Sequence, residues 1–376
     1  MVNLHKIIVA ADGVGQFSKI QYAVDSIPEG NGQEAVIYIK RGVYREKVFI
    51  DKPLVTLVGE HAEDTVIEYG DYAKMKSPEG ENIGTFCTYT IFVGSKEFKA
   101  ENLTFVNSAG KGEVVGQAVA AYVDGDRAQF MNCRFIGNQD TLFTGPLPPA
   151  PLTVRKFGGP RDGMPRTMTR QYYKNCYIQG DIDFIFGSAT AVFEECEIFS
   201  NRLKPGEYSY ITAPSTPEGE KYGYVFIRCR LTGNAASHSV YLGRPWRNFG
   251  KAAFISCTMG EHITEEGWHN WDKPESESTT DFAEYNSTGP GSDRGFVGEA
   301  VQSGKDNRQE AAGSEENQLK GDRLIENSQR ENKQQIGTAR RVPWARQLNR
   351  EEAEQYKAEI VLSGDDGWRP SYCYFL

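Results

Sequence analysis

The chain has 376 residues, enough for a large core, with hydrophobic (39%) and charged (25%) fractions ordinary for a globular protein. A net charge of −9 argues against a nucleic-acid partner, and no apolar run approaches the ~18 residues of a membrane span. No Cys-x-x-Cys pair occurs and the five histidines lack ligand spacing, so no metal site is expected.

In chain order, the first apolar stretch is Ile7 to Ala11, too short for a signal-peptide core. The expected location is therefore the cytoplasm for the chain as it stands; the alternative is secretion with a leader that precedes it. Ser18 and Gln21 read as a capping box before Val24 and Ile27 at helical spacing, predicting a short helix. β-rich runs follow at 35–39 (AVIYI), 55–59 (VTLVG), 90–94 (TIFVG), 118–123 (AVAAYV) and 224–227 (YVFI), and helical periodicity is scarce.

Five cysteines share one pattern, aromatic-x-x-Cys-x-apolar: FMNCRF (130–135), YKNCYI (173–178), FEECEI (193–198), FIRCRL (226–231) and FISCTM (254–259). AENLTFVN (100–107) is an earlier copy with Leu103 in place of cysteine. The cysteine steps are 43, 20, 33 and 28 residues, as expected of a solenoid whose loops differ in length. The fold class expected is all-β, a right-handed parallel β-helix with the cysteines stacked inside as small apolar groups. The rival reading, a disulfide framework, is disfavoured because equivalent strand positions stack without reaching bridging geometry.

Residues 144–170 carry six prolines and predict a rigid irregular loop, whereas the polar stretch 292–340 predicts a solvated, disordered insertion in one domain spanning 1–376. Asn349 and Glu352 form a second capping box before Ala353, Tyr356 and Ile360. The two helical segments would cover the open ends of the solenoid.

The stretch GDIDFIFGSAT (180–190) places acids at the head of an apolar strand. Asp183 lies seven residues after Cys176, and Asp140 lies seven residues after Cys133. If adjacent coils stack in register, the two carboxylates sit about one strand spacing apart, ~5 Å. A lone Asp there would be read as a turn-former, and Asp181, which has no matched partner, keeps that reading. Two such close carboxylates cannot both ionise readily, so one serves as acid and one as anion, which suits ester cleavage or a retaining glycosidase. A serine hydrolase is disfavoured, since no G-x-S-x-G occurs.

The chain resembles the pectin methylesterases, in their bacterial-like form, over nearly its whole length. The resemblance rests on GVYREKV (42–48), GTFCTYT (84–90), GQAVAAYV (116–123), GNQDTLF (137–143), DFIFGSA (183–189), YLGRPW (241–246), EGW (266–268), AEYNSTGPG (283–291) and RVPWARQL (341–348), in family order. It implies hydrolysis of galacturonate methyl esters through an aspartyl acyl-enzyme. Asp183 would be the nucleophile and Asp140 the acid and then base. Gln117 and Gln139 would stabilise the oxyanion, and Arg244 would hold the nucleophile ionised. Trp246 would be the platform under the sugar, and Thr85 a substrate-contacting hydroxyl. Phe143 and Phe184 line the cleft or pack within the strands. The implied partner is methyl-esterified homogalacturonan or its oligomers, met by a monomer with no cofactor. The departures are the 43 residues from Asp140 to Asp183, about twice the plant spacing, and the interruption at 292–340. The competing functions are a β-helical pectin depolymerase and a non-catalytic polysaccharide-binding solenoid.

Overall fold

The structure is a computed structural model that describes residues 5–152, 154–293 and 340–371. All of the predicted polar insertion except its end residues lies outside these. Successive strands wind into three parallel sheets of eleven, eight and seven strands, so that each complete coil adds one strand to each sheet. One coil runs Ala128–Met131, Arg134–Ile136, Leu142–Thr144, and the next runs Arg170–Lys174, Tyr177–Gly180, Ile182–Gly187. This is a parallel β-helix, and the predicted runs all supply strands to it.

The recurring cysteine pattern has a backbone cause. The residue before each cysteine (Asn132, Asn175, Glu195, Arg228, Ser256) is left-handed, with φ between 51° and 55°. That one residue bends the chain from the eleven-stranded to the eight-stranded sheet, and Asn102 before Leu103 does the same at φ 55°. Each following side chain is thereby turned inward. The Cys176, Cys196, Cys229 and Cys257 thiols donate to the carbonyls of Phe130, Tyr173, Phe193 and Phe226 one coil back, at 3.2–3.5 Å. Those aromatic rings stack from Phe130 to Phe254 with centroids 4.4–5.0 Å apart. All six described cysteines are free thiols, as stacking requires.

The caps depart from expectation. The N-terminal helix, Ile20–Asp25, buries Ile20, Ala23 and Val24 but takes no cap from Ser18. Instead the buried Glu46 carboxylate accepts the Ile20 and Gln21 amides at 2.9 and 3.0 Å, bringing a full negative charge to the helix start. The Asn349–Glu352 capping box is present. The two short C-terminal helices, Arg350–Glu354 and Ala358–Val361, do not sit over the end of the coil. Val361 and Leu362 pack on Tyr172, Val192, Val225 and Ala253, the outward side chains of the eleven-stranded sheet. At the C-terminal end of the coil, Val342, Trp344 and Ala345 pack against the inner core. Beside them the Arg341 guanidinium, 4% exposed, donates to both oxygens of Glu284, which is equally buried, and to the carbonyls of Thr264 and Gly291.

Removing one partner of such a pair leaves a buried charge uncompensated. Arg341→Leu is expected to destabilise the protein by about 3–5 kcal/mol, read as a lower midpoint in urea denaturation.

Candidate active site

The seven-stranded sheet carries the site. Leu142, Phe143 and Thr144 pair with Ile185, Phe186 and Gly187, a constant step of 43 residues that also relates Asp140 to Asp183. The Asp140 amide donates to the Ile182 carbonyl at 3.0 Å. The coils therefore stack in the register the matched offsets require. Both aspartates are left-handed, with φ 64° and 51°. Asp183 also sits in an irregularity of the ladder, where Ile182 pairs with Tyr210 but Ile185 with Thr212. A bulge of this kind re-aims side chains.

That irregularity breaks the strict two-residue alternation of a regular strand. Phe184 and Ile185 both enter the inner core, while Phe186 turns to the outer apolar cluster. Phe184, fully buried inside the coil, cannot line a cleft. Nor does Phe143, also without exposure: it lies edge-on beneath Phe86 and Tyr122 and next to Phe186, supporting the surface above.

Arg244 follows the strand Val240–Gly243, and its amide donates to the Thr212 carbonyl. Its Nε and Nη2 donate to the two oxygens of Asp183, both at 2.8 Å. Such a planar fork fixes a carboxylate in orientation as well as charge. The guanidinium carbon lies 3.7 Å from the ring centres of both Tyr210 and Trp271.

The carboxyls are 8% (Asp140) and 7% (Asp183) exposed by residue. Burial first, and then the charge of Asp183, push Asp140 far above the ordinary carboxylate range. Burial also raises Asp183, but the Arg244 hydrogen bonds and charge, and more weakly Lys273, oppose it. The proton therefore rests on Asp140 and the negative charge on Asp183. Asp181 is likewise buried and pushed up to about 6, chiefly by desolvation. Its Oδ1 accepts the adjacent Ile182 amide at 2.7 Å.

Gln117 and Gln139 are half-buried on successive coils, where the Ala118 amide donates to the Gln139 carbonyl. Neither side-chain amide has a hydrogen-bond partner among the described residues, so each is available to a ligand. Gly112 packs on the Gln139 side chain; a Cβ there would stand 2.6 Å from Oε1. Trp246 is half-buried against Phe86, Phe157 and Phe186, with the Arg247 guanidinium 4.8 Å from its ring centre. Thr85 opens the 3₁₀ turn Thr85–Cys87 that presents Phe86.

Four neighbours of the site escaped the sequence reading: Tyr210, Trp271, Phe86 and Phe157. Tyr210 had a signal, since it alternates with buried Ile211 on its strand. Trp271 had none, because it lies in a loop outside the strand ladder. Phe157 comes from the Pro-rich insertion, which leaves the sheet directly after Thr144. Arg161 ties that insertion back through Asp124 (2.9 Å), and Arg247 through the Ala150 carbonyl.

A family model described as Pectinesterase matches residues 6–146 and 152–303. Pectinesterase 31 of Arabidopsis thaliana is 38% identical over 299 residues, 78% of this chain and 85% of that protein. Pectin methylesterase from carrot superposes with a TM-score of 0.72 at 25% identity, covering 97% of this chain and 95% of its own. A pectin methylesterase crystallised with a hexasaccharide gives 0.68 at 26% identity, covering 97% and 98%.

Because Arg244 opposes the burial that raises Asp183, removing it must raise that pKa further. Arg244→Met is expected to move the Asp183 carboxyl titration to higher pH, measured by ¹³C NMR.

Proposed function

This chain belongs to the pectinesterase family, and we propose that it cleaves galacturonate methyl esters at the Asp140–Asp183 pair. The observation that carries the reading is the in-register pair, with Arg244 chelating one member only. The anionic Asp183 attacks the ester carbonyl carbon, and the tetrahedral oxyanion receives hydrogen bonds from the Gln117 and Gln139 amides. Collapse breaks the bond to methoxide as Asp140 gives its proton to the departing oxygen, releasing methanol and leaving an acyl-enzyme anhydride on Asp183. Asp140, now an anion, takes a proton from water as that water attacks the acyl carbon. Collapse expels the Asp183 carboxylate and frees galacturonic acid, which gives its proton to solvent and leaves as the carboxylate, and both aspartates are back in their starting protonation states.

Methyl-esterified homogalacturonan or its oligomers are the substrates, and the hexasaccharide bound by a relative supports an extended groove. Trp246, packed on Phe86 and Phe186, and Thr85, at the head of the turn that presents Phe86, would meet the sugars. The matching family model and the relatives named above are pectinesterases, which favours ester cleavage over chain scission. The 43-residue step between the aspartates supports placing the chain with bacterial-like forms of the family, a grouping that a family tree tests. We further propose a single domain acting as a monomer, checked by sedimentation. Its location, in the bacterial cytoplasm on imported oligomers or outside on wall pectin, is open to cell fractionation.

Methanol release from methylated polygalacturonate, with chain length unchanged, is the expected activity. Asp183→Ala and Asp140→Asn should each abolish most of it; full activity in either discards the mechanism. Gln139→Ala should lower kcat by about 10²–10³, the usual effect of losing one oxyanion donor. The rate should fall at low pH as Asp183 gains a proton and at high pH as Asp140 loses its own. Because burial and Asp183 raise the Asp140 pKa, Asp183→Asn should shift the Asp140 titration downward.

A further inference from the structure

A bidentate ion pair fixes one edge of a guanidinium but leaves its plane free to hinge about the carboxylate. Here both faces are occupied. Tyr210, on the strand Ser209–Pro214, and Trp271 each stand with ring centres 3.7 Å from the Arg244 guanidinium carbon. The two rings are themselves held. Tyr210 stacks on Tyr241 at 5.4 Å with an interplanar angle of 10°. His269 lies edge-on to both tyrosines, at 5.7 and 5.2 Å, and its Nδ1 accepts the Trp271 amide at 2.8 Å. Trp271 and Asp272 are left-handed, at φ 59° and 55°, a conformation costly for either residue. The sequence therefore carries a strained loop whose indole completes a stack running Tyr241, Tyr210, Arg244, Trp271.

Resting on the ester-cleavage reading above, we infer that Tyr210 and Trp271 are positioning residues, acting through Arg244 to aim and ionise the attacking carboxylate of Asp183. Neither ring needs to touch substrate for this. A guanidinium clamped between two π faces, with only 15% of its side chain exposed, keeps its Nε–Nη2 edge toward Asp183. Without a ring the arginine can swing away, and burial then drives a proton onto the carboxylate. The charged and titratable groups facing Asp183 are Arg244 and Lys273 as cations, Asp140 on the preceding coil, and Asp181 just before its own strand. Tyr210 and His269 lie beside the guanidinium, and the Asp272 carboxylate acts on both of them. Of these, Arg244 is the group bonded to the carboxylate, so loss of its alignment dominates the response.

The test compares Tyr210→Leu, Tyr210→Phe, Arg244→Met and the double variant Tyr210→Leu/Arg244→Met in methanol release against pH. Tyr210→Leu is expected to lower kcat about tenfold with little change in KM and to move the acidic limb to higher pH. Tyr210→Phe should restore most of the loss, because the ring face, 3.7 Å from the guanidinium carbon, makes the main contact and the hydroxyl adds only a hydrogen bond to Arg244. In the Arg244→Met background, Tyr210→Leu should add no further shift. An unmoved acidic limb in Tyr210→Leu, a Phe variant as impaired as Leu, or additive effects in the double variant would each overturn the inference. Trp271→Leu, in a loop outside the coil, repeats the test should Tyr210→Leu fold poorly. If the wild type releases no methanol, the functional reading fails on its own. The ¹³C titration of Asp183 in Tyr210→Leu then still decides whether the stack controls that carboxyl.

Discussion

Parallel pairing between neighbouring coils of the seven-stranded sheet is the constraint on which the site depends. Hydrogen bonding between parallel strands sets their separation, so equivalent positions on successive coils face the same way one spacing apart. Asp140 and Asp183 are equivalent positions. Their proximity is imposed by the whole ladder, and the local chain gives the carboxylates little freedom to relax it. Electrostatic repulsion at this distance is accepted because the sheet would have to break to relieve it.

The repulsion is resolved asymmetrically. Arg244 reaches only Asp183, and its charge stabilises one anion. Asp140, buried beside that anion, keeps its proton. One cation on one side of an otherwise symmetric pair is thus enough to assign a proton donor and a nucleophile. The bulge at Asp183 contributes to the same end. It lets an acid occupy a strand whose next two residues, Phe184 and Ile185, are both packed inside.

Around this centre the loops supply what strands cannot. The Pro-rich insertion brings Phe157 to Trp246 and Phe86, widening the apolar wall beside the carboxylates. Its anchors are Arg161 on Asp124 and Arg247 on the Ala150 carbonyl. Burial pushes Asp124 up to about 6. The loop carrying Trp271 closes on Arg244 from the opposite face to Tyr210.

Much of this was legible in the sequence. The aromatic-x-x-Cys spacing disclosed the coils because each coil repeats one backbone bend and one inward position. The equal offsets of Asp140 and Asp183 disclosed the pair, since register carries a sequence offset into space. Gln117, Gln139, Arg244 and Trp246 came from motif resemblance. What tertiary structure alone decided is the direction of side chains wherever the strand period breaks. A left-handed residue at Asp183 sends Phe184 inward, Glu46 rather than Ser18 caps the first helix, and the C-terminal helices cover a flank of the coil. In the Tyr210–Arg244–Trp271 stack the ladder sets the first two, since Tyr210 pairs with Tyr241 and Thr212 with Gly243, but Trp271 comes from a loop that no strand period reaches, so only packing could bring it onto Arg244.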